Sequence, residues 1–283
     1  MKKVLTQEQK RGLSGYVFML PWVLGFAVLI LYPLVLNMRL SLGKINDVVG
    51  LKTQWVGLDN YYRLFNENTD FVPALLDTIQ KTFLWSPFII VFSLFLAILL
   101  NRNMPGKGFF RMVFFMPVLL GSGYVMQQLG PAANVLLLSE NAKVLLRDYF
   151  SEGISEFMIE LLSQIMSVFW KCGVQIVIFL SGLQSIPDSY YEAARVDNAN
   201  SWDCFWKITL PMISPIILLN TIFTVIDTFR NTDNKIANLV VSVIFDDANY
   251  EYGAAMGWVY FLVTSVIIGL IFLCSRKLVT YEK

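Results

Sequence analysis

Six apolar runs of 18–24 residues, Tyr16 to Leu36, Phe83 to Leu100, Phe109 to Leu129, Phe157 to Leu180, Ile208 to Phe229 and Met256 to Cys274, constrain this chain more than any other feature. A helix needs about 20 mostly apolar residues to cross a hydrocarbon core, where the backbone finds no water to bond. With 56% of the 283 residues hydrophobic and 15% charged, a soluble domain that interleaves polar and apolar positions is excluded. The pattern predicts an all-α polytopic membrane protein, a single domain over 1–283 with spans at about 16–36, 83–100, 109–129, 157–180, 208–229 and 256–274. The first run continues through Leu31-Tyr-Pro-Leu-Val-Leu36 without a small-residue cleavage site, so it reads as a retained helix rather than a signal.

Lysine and arginine set the expected orientation. Segments 1–15, 101–108, 181–207 and 275–283 carry 11 basic residues in 59 positions, and segments 37–82, 130–156 and 230–255 carry 9 in 99. The denser set reads as inside, with both termini cytoplasmic and the loop between the fourth and fifth runs cytoplasmic. Thirteen of the 21 acids fall in the three outer segments. A net charge of +1 argues against a nucleic-acid partner or a polybasic lipid patch. Cys172, Cys204 and Cys274 form no evident disulfide framework.

The chain contains no histidine, so the commonest metal ligand and general base are missing. No Gly-x-x-x-x-Gly-Lys-Ser/Thr loop is present. We therefore expect no enzyme activity, metal or cofactor in this chain, and energy for any work to enter from a partner.

The inner loop is the most structured polar stretch. Ser185-Ile-Pro187 ends the fourth run, and Ser189 with Glu192 reads as a capping box starting a helix at Tyr190. Asp197-Asn198 reads as a turn in which Asn198 takes positive φ. Asn200, with Asp203 three residues on, caps a second helix leading through Phe205, Trp206 and Ile208 into the membrane. Over about 189–203 this gives a helix, a tight turn and a second helix. Ala193 and Ala194 permit close approach, Tyr190, Tyr191 and Val196 supply apolar area, and Glu192 and Arg195 supply charge. Such a helix fits a groove on another protein or lies on lipid headgroups; the residues alone leave both open.

The pattern Glu192-Ala193-Ala194-x-x-Asp197-x-Ala199, followed by Phe205, Ile208 and Leu210-Pro211, resembles the cytoplasmic signature of binding-protein-dependent ABC importer permeases of the carbohydrate-uptake, maltose-related type. Trp55-Val-Gly-Leu-Asp-Asn-Tyr-Tyr-Arg-Leu-Phe65, Leu99-Leu-Asn-Arg102, Gly106-Lys-Gly-Phe-Phe-Arg111 and Phe179-Leu-Ser-Gly-Leu-Gln-Ser-Ile-Pro187 match the same family, so the resemblance covers nearly the whole chain. It implies a type I ABC importer permease fold in a bacterial plasma (inner) membrane. The loop would then be a coupling helix seated in a cleft of an ATPase, with Glu192 paired to a basic group there and Ala193 and Ala194 fitting the cleft. It further implies a second permease, typically a different chain so that the pair is a heterodimer, two ATPases that bind ATP and Mg, and an extracytoplasmic binding protein. The expected cargo is a sugar or oligosaccharide, with a polar solute such as a glycerol phosphate ester as the alternative. The chain departs from the family at Asn198, where glycine is usual, and at Arg230-Asn-Thr-Asp-Asn-Lys235, which lacks a Gly-Gly-Pro turn.

Transport needs a polar path. Asn220, Thr224, Asp227 and Asn231 fall at i, i+4, i+7 and i+11, on one helical face. Such a face lines a cavity or hydrogen-bonds to neighbouring helices. Lys171, deep in the fourth run, carries a charge that costs roughly 2.5–3.5 kcal/mol to insert, with Gln164 and Gln175 on its face. A structural or gating role is weighed above direct substrate contact there. Pro87, Pro117, Gly121 and Gly123 permit bending in the second and third spans. A membrane enzyme would need a cluster of ionisable residues at one depth, which the runs lack; a receptor or scaffold would show no ATP-dependent flux.

Overall fold

A computed structural model of the chain describes residues 7–47, 52–101, 108–109, 112, 140–151, 153–159, 162, 172–230 and 234–276. Almost all of the span expected at 109–129 and much of that at 157–180 lie outside the described residues, together with Lys171, Gln164, Pro117, Gly121, Gly123 and Asn231.

Helices dominate. The chain begins with α1 (Gln7–Phe26), which passes through a π-turn at Ala27–Leu31 into α2 (Tyr32–Ser41). A second π-turn at Phe205–Thr209 joins α8 (Ser201–Cys204) to the single turn α9 (Leu210–Met212). Each π-turn ends two residues before a proline, Pro33 and Pro211. A proline ring clashes with the carbonyl four residues back and removes one N–H. Widening the turn relieves that clash while the chain stays hydrogen-bonded, as Tyr32 N–H to Ala27 O and Leu210 N–H to Phe205 O show.

Among the described residues three helices are long and apolar enough to cross a membrane: Phe18–Ser41, α4 (Phe71–Asn101) and α12 (Tyr250–Ser275). A fourth crossing results if Ser201–Met212 and α10 (Ser214–Arg230), bent by 65° to one another, make one span. The apolar run expected at 208–229 contains this bend. The bend falls at Ile213 because Pro215 offers no N–H to the carbonyl of Pro211, and two prolines one turn apart leave the helix nothing to hold its axis straight.

The chain divides into two units, Met1–Thr78 with Thr232–Ser265, and Ile79–Asn231 with Val266–Lys283. The first contains a feature that the all-α expectation did not include, a small antiparallel hairpin of β1 (Gly43–Asp47) and β2 (Lys52–Trp55). Val56 and Gly57 both donate N–H to Leu42 O, at 3.0 and 3.1 Å, with Gly57 at φ +67°, where only glycine is unstrained. That turn delivers α3 (Asp59–Asn66), whose buried Asn60 donates to Ser41 O and Gly43 O at 3.0 and 2.9 Å. The Trp55–Phe65 motif is thus the hinge that pins the end of α2 to α3. In the same unit Asn234 caps α11 (Lys235–Phe245), accepts from Thr78 Oγ1 at 2.5 Å and donates to Tyr260 Oη at 2.9 Å, tying α4, α11 and α12 together.

The second unit has an apolar core of Ile89, Ala97 and Leu100 from α4, Ile176, Phe179, Leu180 and Leu183 from α6 (Gly173–Gln184), and Cys172, Ile186 and Ile213. Also described is the helix α5 (Glu140–Tyr149). Gly182 on α6 faces Ile216 on α10: a Cβ there would lie 2.8 Å from Ile216 Cγ1 and 3.2 Å from its Cβ. Gly182→Val is expected to destabilise the protein by about 1–3 kcal/mol through overpacking, lowering the thermal aggregation midpoint in detergent. Adding Ile216→Ala should recover part of the loss; a midpoint unchanged by Gly182→Val would show that the contact is not close-packed.

Candidate functional site

The loop after α6 folds as α7 (Asp188–Val196), a four-residue turn, and α8. The capping box expected from Ser189 and Glu192 does not form. The helix starts at Asp188, Pro187 occupies the cap position with φ −62° and ψ 136°, and no side chain caps it. Proline presets the backbone angle needed just before a helix, which makes a serine cap two residues later redundant.

The C-terminal end follows the expectation for Asn198, which adopts φ +54°. Ala199 N–H reaches Ala194 O at 2.9 Å and Asn198 N–H reaches Arg195 O at 3.1 Å. This 6→1 and 5→2 pair is a Schellman motif, closing α7 on its own carbonyls. Asn200 then caps α8, its side-chain oxygen accepting from Asp203 N–H at 2.9 Å. Lys207 sits 3.1 Å from Asp203, and hydrogen bonding to that ammonium holds the Asp203 carboxyl below its ordinary range.

One face of α7 is spent on the protein and the other is not. Tyr191 packs against the second unit's core, and its hydroxyl lies 2.9 Å from the Thr209 hydroxyl, which also donates to Cys204 O at 3.3 Å across the π-turn. Glu192, Ala193, Arg195 and Val196 are exposed, Val196 at 84%. Ala194 and Ala199 are half-buried, while Leu210 and Pro211 sit half-buried at the start of α9. Phe205, Trp202 and Trp206 form an edge-packed cluster beside the turn, with centroid spacings of 5.2–6.4 Å. The Tyr191–Thr209 link escaped the sequence reading, because it joins residues 18 apart and has no local pattern.

The polar face of α10 divides. Asn220 and Thr224 are buried against α6: Asn220 Nδ2 donates to Gln175 O at 3.0 Å, Gln175 Nε2 donates to Thr224 Oγ1 at 3.4 Å, and Thr224 Oγ1 donates to Asn220 O at 2.8 Å. Gln175 Oε1 and Asn220 Oδ1 accept no hydrogen bond from a described residue. Asp227, one turn further on, is exposed. The structure therefore joins Asn220, Thr224 and Gln175; Lys171 lies outside the described residues. Among the described residues no group of three or more Cys, Asp or Glu side chains is placed to hold a metal ion.

Residues 64–281 match the model of the family described as binding-protein-dependent transport system inner membrane component. The chain belongs to that family. This permease is 30% identical over 300 residues to the probable ABC transporter permease protein YesP of Bacillus subtilis, covering 97% of this chain and 94% of that one. It is 29% identical to the arabinooligosaccharides transport system permease protein AraP of the same organism, with 90% and 86% covered. It is 26% identical to the sn-glycerol-3-phosphate transport system permease protein UgpA of Agrobacterium fabrum, over 65% of this chain and 64% of that one. The fold is similar to a chain of the crystal structure of a bacterial alginate ABC transporter in complex with an alginate pentasaccharide-bound periplasmic protein. The TM-score is 0.69 at 19% identity, covering 98% and 99% of the two chains. The protein is thus an ABC importer permease with a helical, multi-pass inner-membrane fold, a transport subunit rather than an enzyme.

Asn198→Gly is expected to leave the thermal midpoint at or above that of the parent, since glycine takes positive φ without strain. Asn198→Val should cost more than about 1 kcal/mol, the lower end of the penalty for a side chain in the left-handed region. Equal midpoints for the two variants would mean that the turn does not hold α7 in place.

Proposed function

We propose that this permease forms half of the pathway by which a sugar or oligosaccharide enters the cell. A second, different permease supplies the other half, and two ATPases that bind ATP and Mg drive the pair through α7. The observation that carries this reading is the construction of α7, a short helix closed on its own carbonyls and fixed through Tyr191 and Thr209 to the π-turn that leads into α9, yet exposing Glu192, Ala193 and Val196. A helix on a rigid mount with an uncovered small-residue face has the form of a plug for a partner's groove. In this role Glu192 pairs with a basic group of the ATPase, Ala193 and Ala194 admit close contact, and Asp197, Asn198 and Ala199 set the exit. Leu210 and Pro211 pass the displacement on to α10. The loop lies on the cytoplasmic side and both termini face the cytoplasm, in keeping with the lysine and arginine asymmetry.

Sugar as cargo draws support from the relatives that carry arabinooligosaccharides and from the alginate system; the glycerol-phosphate relative supports the alternative of a polar phosphate ester. An extracytoplasmic binding protein hands the solute to the path between the two permeases. Within this half, Asn220, Thr224, Asp227 and Lys171 supply the polar groups of the path, supported by two buried amide oxygens on the α6–α10 seam still able to accept hydrogen bonds. Lys171 acts chiefly in structure or gating.

The test is ATP-dependent uptake of labelled sugars and of glycerol 3-phosphate into vesicles holding the complex. One sugar is expected to accumulate, and Glu192→Ala should lower its rate by about tenfold, equivalent to roughly 1.4 kcal/mol. Ala193→Arg should abolish co-purification of the ATPases. Retained ATPase binding in Ala193→Arg would overturn docking through α7, and uptake of the phosphate ester alone would replace the sugar.

A further inference from the structure

Four buried side-chain polar atoms have no hydrogen-bond partner among the described residues: Ser86 Oγ, Trp258 Nε1, Gln175 Oε1 and Asn220 Oδ1. The last two share one contact, the seam between α6 and α10, where Gln175 is 1% and Asn220 0% exposed. The groups they face fix how both amides lie. The main-chain oxygen of Gln175 only accepts, so Asn220 turns its amino group to it, at 3.0 Å. Thr224 gives its hydroxyl proton to Asn220 O, so its oxygen is left to accept and Gln175 turns its amino group there, at 3.4 Å. Flipping either amide would set oxygen against oxygen, and the two amide oxygens are what these bonds leave over.

The seam changes character along its length. Near the loop that carries α7, Gly182 and Ile216 meet too closely for a Cβ on residue 182, and Leu183, Ile186 and Ile213 belong to the apolar core at that end. About two turns further along α6 the contact becomes the polar group of Gln175, Asn220 and Thr224. The two ends respond differently to a gap. A close-packed apolar contact loses dispersion with any separation, whereas separation at the polar end lets water or a hydroxyl reach two oxygens that now lack a donor. Since α6 and α10 flank α7 to α9 in the chain, a displacement of α7 reaches both sides of the seam.

We propose that Gln175 is a positioning residue for transport: its donorless oxygen, with that of Asn220, raises the energy of the closed seam, so that α6 and α10 part there during each cycle while pivoting on Gly182 and Ile216. The proposal rests on the importer reading above. Gln175 acts through the two helices and sets how fast they separate; it does not set how tightly the solute is held.

The test uses the complete complex, with melting followed in detergent and ATP-dependent solute uptake in proteoliposomes. Gln175→Met keeps the length of the side chain and removes the donorless oxygen. It should raise the melting midpoint by a few degrees and lower the maximal uptake rate by about tenfold, with KM unchanged. Adding Asn220→Leu should move midpoint and rate further in the same directions. A raised midpoint with an unchanged rate would make the seam a packing contact only, and a lowered midpoint would make the amide a source of cohesion. A raised KM at an unchanged maximal rate would make Gln175 a solute contact. Each of these three results would overturn the positioning role while leaving the importer intact. A parent complex that takes up no solute would overturn the importer reading and this role together.

Discussion

Every backbone N–H and C=O inside the hydrocarbon must find its partner within the protein, and the architecture of this permease follows from that rule. It forces helices, and it governs where they can deviate. Prolines at 33 and 211 would each strand a carbonyl; both are met by a π-turn that rebonds the chain one residue further along. The one sharp break among the described residues, at Ile213, has prolines on both sides and buries its apex in the core of the second unit. At the second π-turn the polar cost is shared by Thr209, which bonds both Cys204 O and Tyr191. The same two side chains hold α7, so that π-turn and the mount share one anchor.

A nine-residue helix is too short to hold its shape alone in water, where about 12–15 residues are already marginal. Two supports make α7 persist: backbone closure through Asn198 at one end and the Tyr191 anchor on one face. Neither uses the side chain of Glu192, Ala193 or Val196. The surface available to a partner can therefore be covered or uncovered without unfolding the helix, a requirement for any element that transmits force rather than merely adhering.

How much of this was legible in the residues depends on how local each cause is. The apolar runs, the positive φ of Asn198 and the Asn200 cap rest on chemistry within a few positions, and all three could be read directly. The Ser189 capping box failed because a proline already fixed the helix start, a competing local rule given too little weight. The bend at Ile213 was missed for a related reason: hydrophobicity reports length and not direction, and Pro211 and Pro215 were not read as a pair. The Tyr191–Thr209 link and the Asn234 clamp join residues well apart in the sequence, so no window on one helix contains both partners. Among the candidate path residues, i, i+4 spacing put Asn220 and Thr224 on one face. Only the fold could show that this face meets Gln175.

That meeting limits what the seam can be. Three hydrogen bonds join Gln175, Asn220 and Thr224, so most donors there hold α6 to α10. The two amide oxygens that accept nothing from a described residue, on Gln175 and Asn220, each carry a burial cost of roughly 1–3 kcal/mol in that arrangement. A seam built only for adhesion would lose little or nothing with apolar residues of similar size at these places, since replacing both partners of a buried polar pair is nearly neutral or stabilising. Polar residues with spare acceptors suit a contact whose partners change, because hydroxyl or N–H groups arriving as the helices shift recover what the present arrangement forgoes.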